Sequence, residues 1–245
     1  MSDIYTSGLS ARPVFREFPD AQSLAENLSE RLAAALKDAL DRDGVTSLAV
    51  SGGSTPKPLF DRLCAVPLPW RRITVTLADE RWVDTDSPES NEFLVSTRLL
   101  TGRAAGAGFV GLKTRHATPE EGAREAEERL RAVPRPFGAV VLGMGRDGHT
   151  ASLFPHADGL EAALDPASRR LVMPVKPGGA GAAALPRLTL TLHALMESRL
   201  IVLHITGAEK RSVYERALGG EDMLSMPVRA VLRQTRAPVE VWWAP

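Results

Sequence analysis

The chain has 245 residues, 30 Lys+Arg balanced by 30 Asp+Glu, and 44% hydrophobic residues, which is enough for a sizeable core without staples. A formal net charge of zero removes the basic footprint of a nucleic-acid or anionic-membrane binder, so neither is expected as a partner. The single cysteine, Cys64, excludes an intrachain disulfide framework.

The N-terminal residues show no basic start followed by an apolar run, and no stretch approaches about 18 continuous apolar residues. A cytoplasmic protein is therefore expected. After an irregular start, Asp20 is placed to cap a helix whose Leu24, Leu28, Leu32, Leu36 and Leu40 form one apolar stripe and which stops at Gly44. Ser47 to Val50 reads as a short strand running into Ser51-Gly52-Gly53-Ser54-Thr55-Pro56, with a helix from about Pro56 to Cys64. Ile73 to Ala78 is a second strand and carries Asp79-Glu80-Arg81 at its end. Helices are predicted from about Asn91 to Leu100 and from Pro119 to Ala132. Gly138 to Leu142 is a third strand, ending in the loop GMGRDGHTASLFP. Further apolar runs at Arg170 to Val175, Leu188 to Leu192, Leu200 to Ile205 and Val239 to Trp243 are mostly too short for helices, and Gly178 to Ala184 reads as a flexible loop. Trp70, Trp242 and Trp243 are expected in the core or an interface. Strands alternating with helices predict one α/β domain, a largely parallel sheet with helices on both faces and ligands at the carboxyl ends of the strands.

Three strand ends carry the chemistry. In the Ser51 loop the glycines allow close backbone approach, the hydroxyls of Ser54 and Thr55 can donate, and free N–H groups at a helix start favour an anion such as phosphate. An ordinary capped turn is the competing reading. The Gly143-Met144-Gly145-Arg146-Asp147-Gly148 loop matches G-x-G-x-x-G, but a dinucleotide fingerprint must open a long helix, and Pro155 and Pro166 break the segment that follows. His149, two residues after Asp147, is a candidate general base. The pairs Asp147/His149 and His156/Asp158 match no zinc spacing, so no metal is expected. Arg81, Arg187 and Lys210 lie near strand ends and are candidate phosphate ligands, unless each is merely solvated or ion-paired. His116, His193 and His204 have no informative neighbours and read as structural or surface residues.

Taken together, SGGSTP at Ser51, DERWV at Asp79, Ser90-Asn91, LGMGRDGHTASLFP at Leu142 and TGAEKR at Thr206 resemble the 6-phosphogluconolactonase family over nearly the whole chain. That family is grouped with the glucosamine-6-phosphate deaminases, and the resemblance implies their modified Rossmann-like fold. The deaminases typically end the shared histidine segment in Asn-Glu-Pro, where this chain has Ser152-Leu153-Phe154-Pro155; the lactonase branch is favoured. The resemblance implies cofactor-free hydrolysis of 6-phospho-D-glucono-1,5-lactone, with His149 as base and Asp147 orienting it or contacting the sugar. Gly52, Gly53, Ser54, Thr55, Arg81, Arg187 and Lys210 would hold the substrate, the resemblance pointing to Arg81 and the Ser51 loop before Arg187. Asp79 would touch a sugar hydroxyl or only orient Arg81. An amino-sugar phosphate deaminase or isomerase and a non-catalytic phosphosugar-binding protein are the competing functions.

Overall fold

The leucine stripe and its two caps form as the pattern predicts. A computed structural model describes residues 13–178 and 185–245; the predicted glycine-rich loop, beyond Gly178, lies outside the described residues. The first strand, β1 (Val14–Glu17), precedes α1 (Ala21–Asp43), where the Asp20 carboxylate accepts from Ser23 N at 2.7 Å. The helix ends at Gly44, whose φ of 79° suits a residue without Cβ. Each stripe leucine is buried, which contributes about 2 kcal/mol per side chain relative to exposure.

The chain continues through β2 (Thr46–Val50), α2 (Lys57–Leu63), β3 (Ile73–Leu77), β4 (Asp79–Arg81), α3 (Asn91–Arg98), β5 (Gly108–Val110), α4 (Pro119–Arg131) and β6 (Ala139–Leu142). Then follow α5 (Leu160–Leu164), β7 (Val172–Val175), β8 (Arg187–Leu190), α6 (Leu192–Met196), β9 (Ile201–Thr206), α7 (Ala208–Gly219), α8 (Val228–Arg233) and β10 (Val239–Ala244). Seven strands form one sheet in the order β1-β10-β9-β6-β2-β3-β5, and every pair in it is parallel. Consecutive residues of β2, β6 and β10 are all buried, so both faces of the sheet are covered, as parallel sheets require. Trp70, Trp242 and Trp243 are buried in this core.

Three features depart from the sequence reading. The irregular start includes β1, an edge strand that pairs with β10. The runs at Val172 and Leu188 do not join the parallel sheet; they form a second, antiparallel sheet in the order β4-β8-β7. Asp79-Glu80-Arg81 does not simply end β3 but forms a strand of its own, β4. Ala78 is the hinge between the sheets, its N–H donating to Val50 O and its carbonyl accepting from Leu190 N, both at 2.8 Å.

Strand alternation then sorts the charged triplet. Asp79 and Arg81 face one way, toward the cavity described below, while Glu80 faces the start of α3. There its carboxylate accepts from Arg81 N and Asn91 N on one oxygen (2.8 and 2.7 Å) and from Glu92 N and Ser90 Oγ on the other (2.8 and 3.1 Å). Burial outweighs these donors and pushes Glu80 up to about 7 from a reference of 4.5. A folded-state pKa above the unfolded one means that stability is greatest below the unfolded value and is lost as pH rises through the folded one. Urea denaturation of wild type and Glu80→Gln, compared between pH 4.5 and 7, is expected to show the difference moving against wild type by up to about 3 kcal/mol. A difference that does not change with pH would show that the donors, not burial, set the state of this carboxylate.

Candidate active site

The strand order reverses beside β2: β3 lies on one side and β6 on the other. Loops leaving the carboxyl ends of two such strands diverge and leave a crevice, the usual ligand position in open α/β sheets. Here the crevice is a cavity of about 290 Å³ between the Ser51 loop after β2 and the Gly143 loop after β6. A wider cleft of about 730 Å³ opens at the amino ends of β6, β9 and β10. Its Arg31, Arg135 and Arg199 are already paired with Glu240, Glu197 and Asp43, and it contains neither a histidine nor a glycine loop. Chemistry, not size, therefore selects the smaller cavity.

The structure brings the predicted binding residues to one place. Gly52, Gly53, Ser54, Thr55, Asp79, Arg81, Arg187 and Lys210 all line the cavity with His149. Gly52 is required by close packing, because a Cβ there would strike Asn91 Oδ1. Gly53 has a φ of 94°, a conformation that side chains resist.

Asp147 stands behind His149. The His149 Nδ1–H donates to Asp147 Oδ1 at 2.6 Å, and the same oxygen accepts from His149 N at 3.1 Å. A carboxylate only accepts, so the ring proton sits on Nδ1 and the Nε2 lone pair is left for chemistry. Burial works against ionisation of Asp147, but its bonds with and the charge of His149 prevail and hold the carboxyl below its usual range. The loop is built around this pair. A Cβ at Gly145 would collide with both His149 Nδ1 and Asp147 Oδ1. Gly145 N donates to His149 O at 2.8 Å, Thr150 Oγ1 donates to Gly143 O at 2.8 Å, and Val228 N ties Gly148 O to α8 at 2.9 Å. Gly148 and Ala151 have φ values of 83° and 48°; the strained alanine lies two residues beyond His149, and such backbone is often held for function.

Several site residues escape a reading by motif. Asn91 is buried in the cavity wall and donates to Asp79 O at 2.8 Å; Ser90-Asn91 had been singled out only for its resemblance. Phe154 packs its ring 4.2 Å from that of His149, and the Arg187 guanidinium lies 5.1 Å from the same ring. Ser152 Oγ donates to Asp79 Oδ2 at 2.5 Å, and Arg187 lies 3.9 Å from that oxygen. Asp79 thus engages Ser152, Asn91 and Arg187; it does not orient Arg81, whose Nη1 donates to Glu89 O. Arg187 is buried and belongs to the wall as fully as Arg81. Lys210, in the first turn of α7, donates to Met144 O. Burial lowers its pKa against the opposing pull of Asp147 and Glu209. His116 is at the surface, but His204 is buried and lines the cavity.

Comparison with known proteins identifies the family of the chain. The model of the family described as glucosamine-6-phosphate isomerases/6-phosphogluconolactonase matches residues 19–243. The chain belongs to that family. A 6-phosphogluconolactonase of Mesorhizobium japonicum is 46% identical over 93% of this chain and 94% of its own, and one of Rhizobium meliloti is 44% identical over 93% and 97%. The crystal structure of a 6-phosphogluconolactonase from Shewanella baltica superposes with a TM-score of 0.91 at 45% identity, covering 95% of this chain and 98% of that one. Among the described residues, no three His, Cys, Asp or Glu side chains converge as a metal would need, and no helix is long and apolar enough to cross a membrane.

Proposed function

We propose that the protein hydrolyses 6-phospho-D-glucono-1,5-lactone to 6-phosphogluconate, the second step of the oxidative pentose phosphate pathway, acting in the cytoplasm as one domain without a cofactor. The observation that carries this reading is the imidazole of His149, its Nδ1 held by Asp147 and its Nε2 left basic, in a cavity walled by Arg81, Arg187 and Lys210.

Nε2 of His149 takes a proton from water as the oxygen attacks the lactone carbonyl. The tetrahedral intermediate then collapses, the bond from the carbonyl carbon to the ring oxygen breaks, and the imidazolium returns the proton to that oxygen. One water is consumed, and the acid and the freed hydroxyl are formed. Asp147 offsets the charge that builds on the ring and keeps its tautomer. The 6-phosphate is dianionic, and the three cations are the groups suited to it, with the Ser51 loop supplying hydroxyl and N–H donors. Arg81 Nε is buried with no hydrogen-bond partner in the described structure, which is costly unless a ligand accepts from it. Asp79, an acceptor fixed by Ser152 and Asn91, suits a sugar hydroxyl.

The test generates the lactone in place with glucose-6-phosphate dehydrogenase and follows its loss against the uncatalysed background. Wild type is expected to exceed that background clearly, and His149→Ala to lower kcat by about 10²–10⁴-fold while 6-phosphogluconate still binds. A His149→Ala protein with near-normal kcat would remove His149 as the base, and ammonia release from glucosamine 6-phosphate without lactone hydrolysis would move the chain to the isomerase branch.

The phosphate is remote from the bond that breaks, yet its binding energy aligns the carbonyl with water and base. Removing one partner of a desolvated charge pair costs about 2–5 kcal/mol, so Arg81→Ala or Lys210→Ala is expected to lower kcat/KM by tens to thousands of fold. On unphosphorylated gluconolactone, itself a poor substrate, the losses should be far smaller. Equal losses on both would exclude the residue from the phosphate site.

A further inference from the structure

One polar side chain in the cavity wall has no part in the hydrolysis described above. His204 lies in β9 within the apolar run Ile201-Val202-Leu203-His204-Ile205, and only 4% of it is exposed. On one side it pairs in register with Trp242 of β10. On the other side β6 pairs only as far as Leu142 with Leu203, and the chain leaves the strand at Gly143, which also lines the cavity. A Cβ built on Gly143 would meet nothing within 4 Å. The segment that follows β6 thus begins with open space and no side chain, and His204 forms part of the wall of the same cavity.

The ring is also unsatisfied. Nδ1 is sealed from solvent and makes no hydrogen bond in the described structure, which leaves the edge carrying Nε2 as the part able to meet a ligand. An isoleucine or valine, like its neighbours, would fill the same place without burying an unpartnered polar atom. Burial lowers the histidine pKa to about 4, so near neutral pH the ring carries one N–H and one lone pair and no charge. Such a group suits a hydroxyl, which both donates and accepts, better than a dianionic phosphate, for which Arg81, Arg187 and Lys210 are at hand.

We propose that His204 is a substrate-binding residue, its imidazole edge hydrogen-bonding a hydroxyl of the sugar seated in this cavity. The proposal rests on the lactone-hydrolysis reading of the same site, and the two fail differently. If wild type does not hydrolyse the lactone, that reading fails; if wild type does so and His204 is replaceable, only this proposal fails.

The test measures His204→Leu and His204→Gln in the coupled lactone assay. Loss of one neutral hydrogen bond is expected to raise KM about tenfold in His204→Leu, with the effect on KM larger than that on kcat. His204→Gln, which keeps a donor and an acceptor, should recover much of the loss. The Tm of ligand-free His204→Leu should equal or exceed that of wild type, because a sealed polar atom has been replaced by an apolar one; a residue needed only for folding would lower it. An unchanged KM in a folded His204→Leu protein overturns the proposal, as does a kcat loss on the scale of His149→Ala. Should the leucine variant not fold, the wild-type protein with ¹⁵N-labelled histidine gives the same decision. Saturation with 6-phosphogluconate should shift the His204 ring resonances, and an unmoved signal overturns the proposal.

Discussion

The reversal of strand order between β2 and β6 is the constraint on which the site depends. With β3 on one side of β2 and β6 on the other, the segments that follow β2 and β6 cannot run alongside each other, and the space between them cannot be closed by backbone. Everything chemical is fitted to that opening. The Ser51 loop enters it where Gly52 packs on Asn91 without a side chain. The Gly143 loop enters it with Gly145 making room for the Asp147–His149 pair. The parallel sheet supplies rigidity below, being buried on both faces, so the two loops are held by strands that have little freedom to shift.

The small antiparallel sheet completes the wall from the side. Ala78 hydrogen-bonds to both sheets, which turns the chain out of β3 and into β4 within one residue. Alternation along β4 then sends Asp79 and Arg81 to the cavity and Glu80 to the start of α3. Pairing of β4 with β8 brings Arg187 opposite Arg81, two cations that a protein would not place side by side without an anion to share or acidic neighbours such as Asp79. Phe154 spans the distance between Arg187 and His149, so the cationic part of the wall and the imidazole are packed against one ring.

The locally encoded parts of this arrangement were legible in the sequence. The leucine stripe with Asp20 and Gly44, the strand-loop-helix at Ser51, and the pair Asp147/His149 each depend on residues within a few positions of one another, where spacing and cap chemistry suffice. What was not legible depends on pairing across the chain. A three-residue strand of Asp, Glu and Arg has no strand propensity; β4 exists because β8 is there to receive it, and Glu80 carries no separate signal until α3 is seen to start on it. Asn91 and Phe154 carry no chemical signal of their own and acquire one from Asp79, His149 and Arg187. His204 reads as a structural or surface residue because nothing in its neighbours reveals that it lines the cavity.

The role given to Asp147 is the narrowest point of the mechanism, since one carboxylate oxygen sets which nitrogen of His149 is basic. Asp147→Asn keeps the size of the side chain and removes its charge and obligate acceptor character, and its kcat in the coupled lactone assay measures that role most directly. The expected result is a fall in kcat of about a hundredfold or more with 6-phosphogluconate binding preserved. A kcat within about threefold of wild type would contradict it, because His149 would then act as a base without the carboxylate that fixes its tautomer.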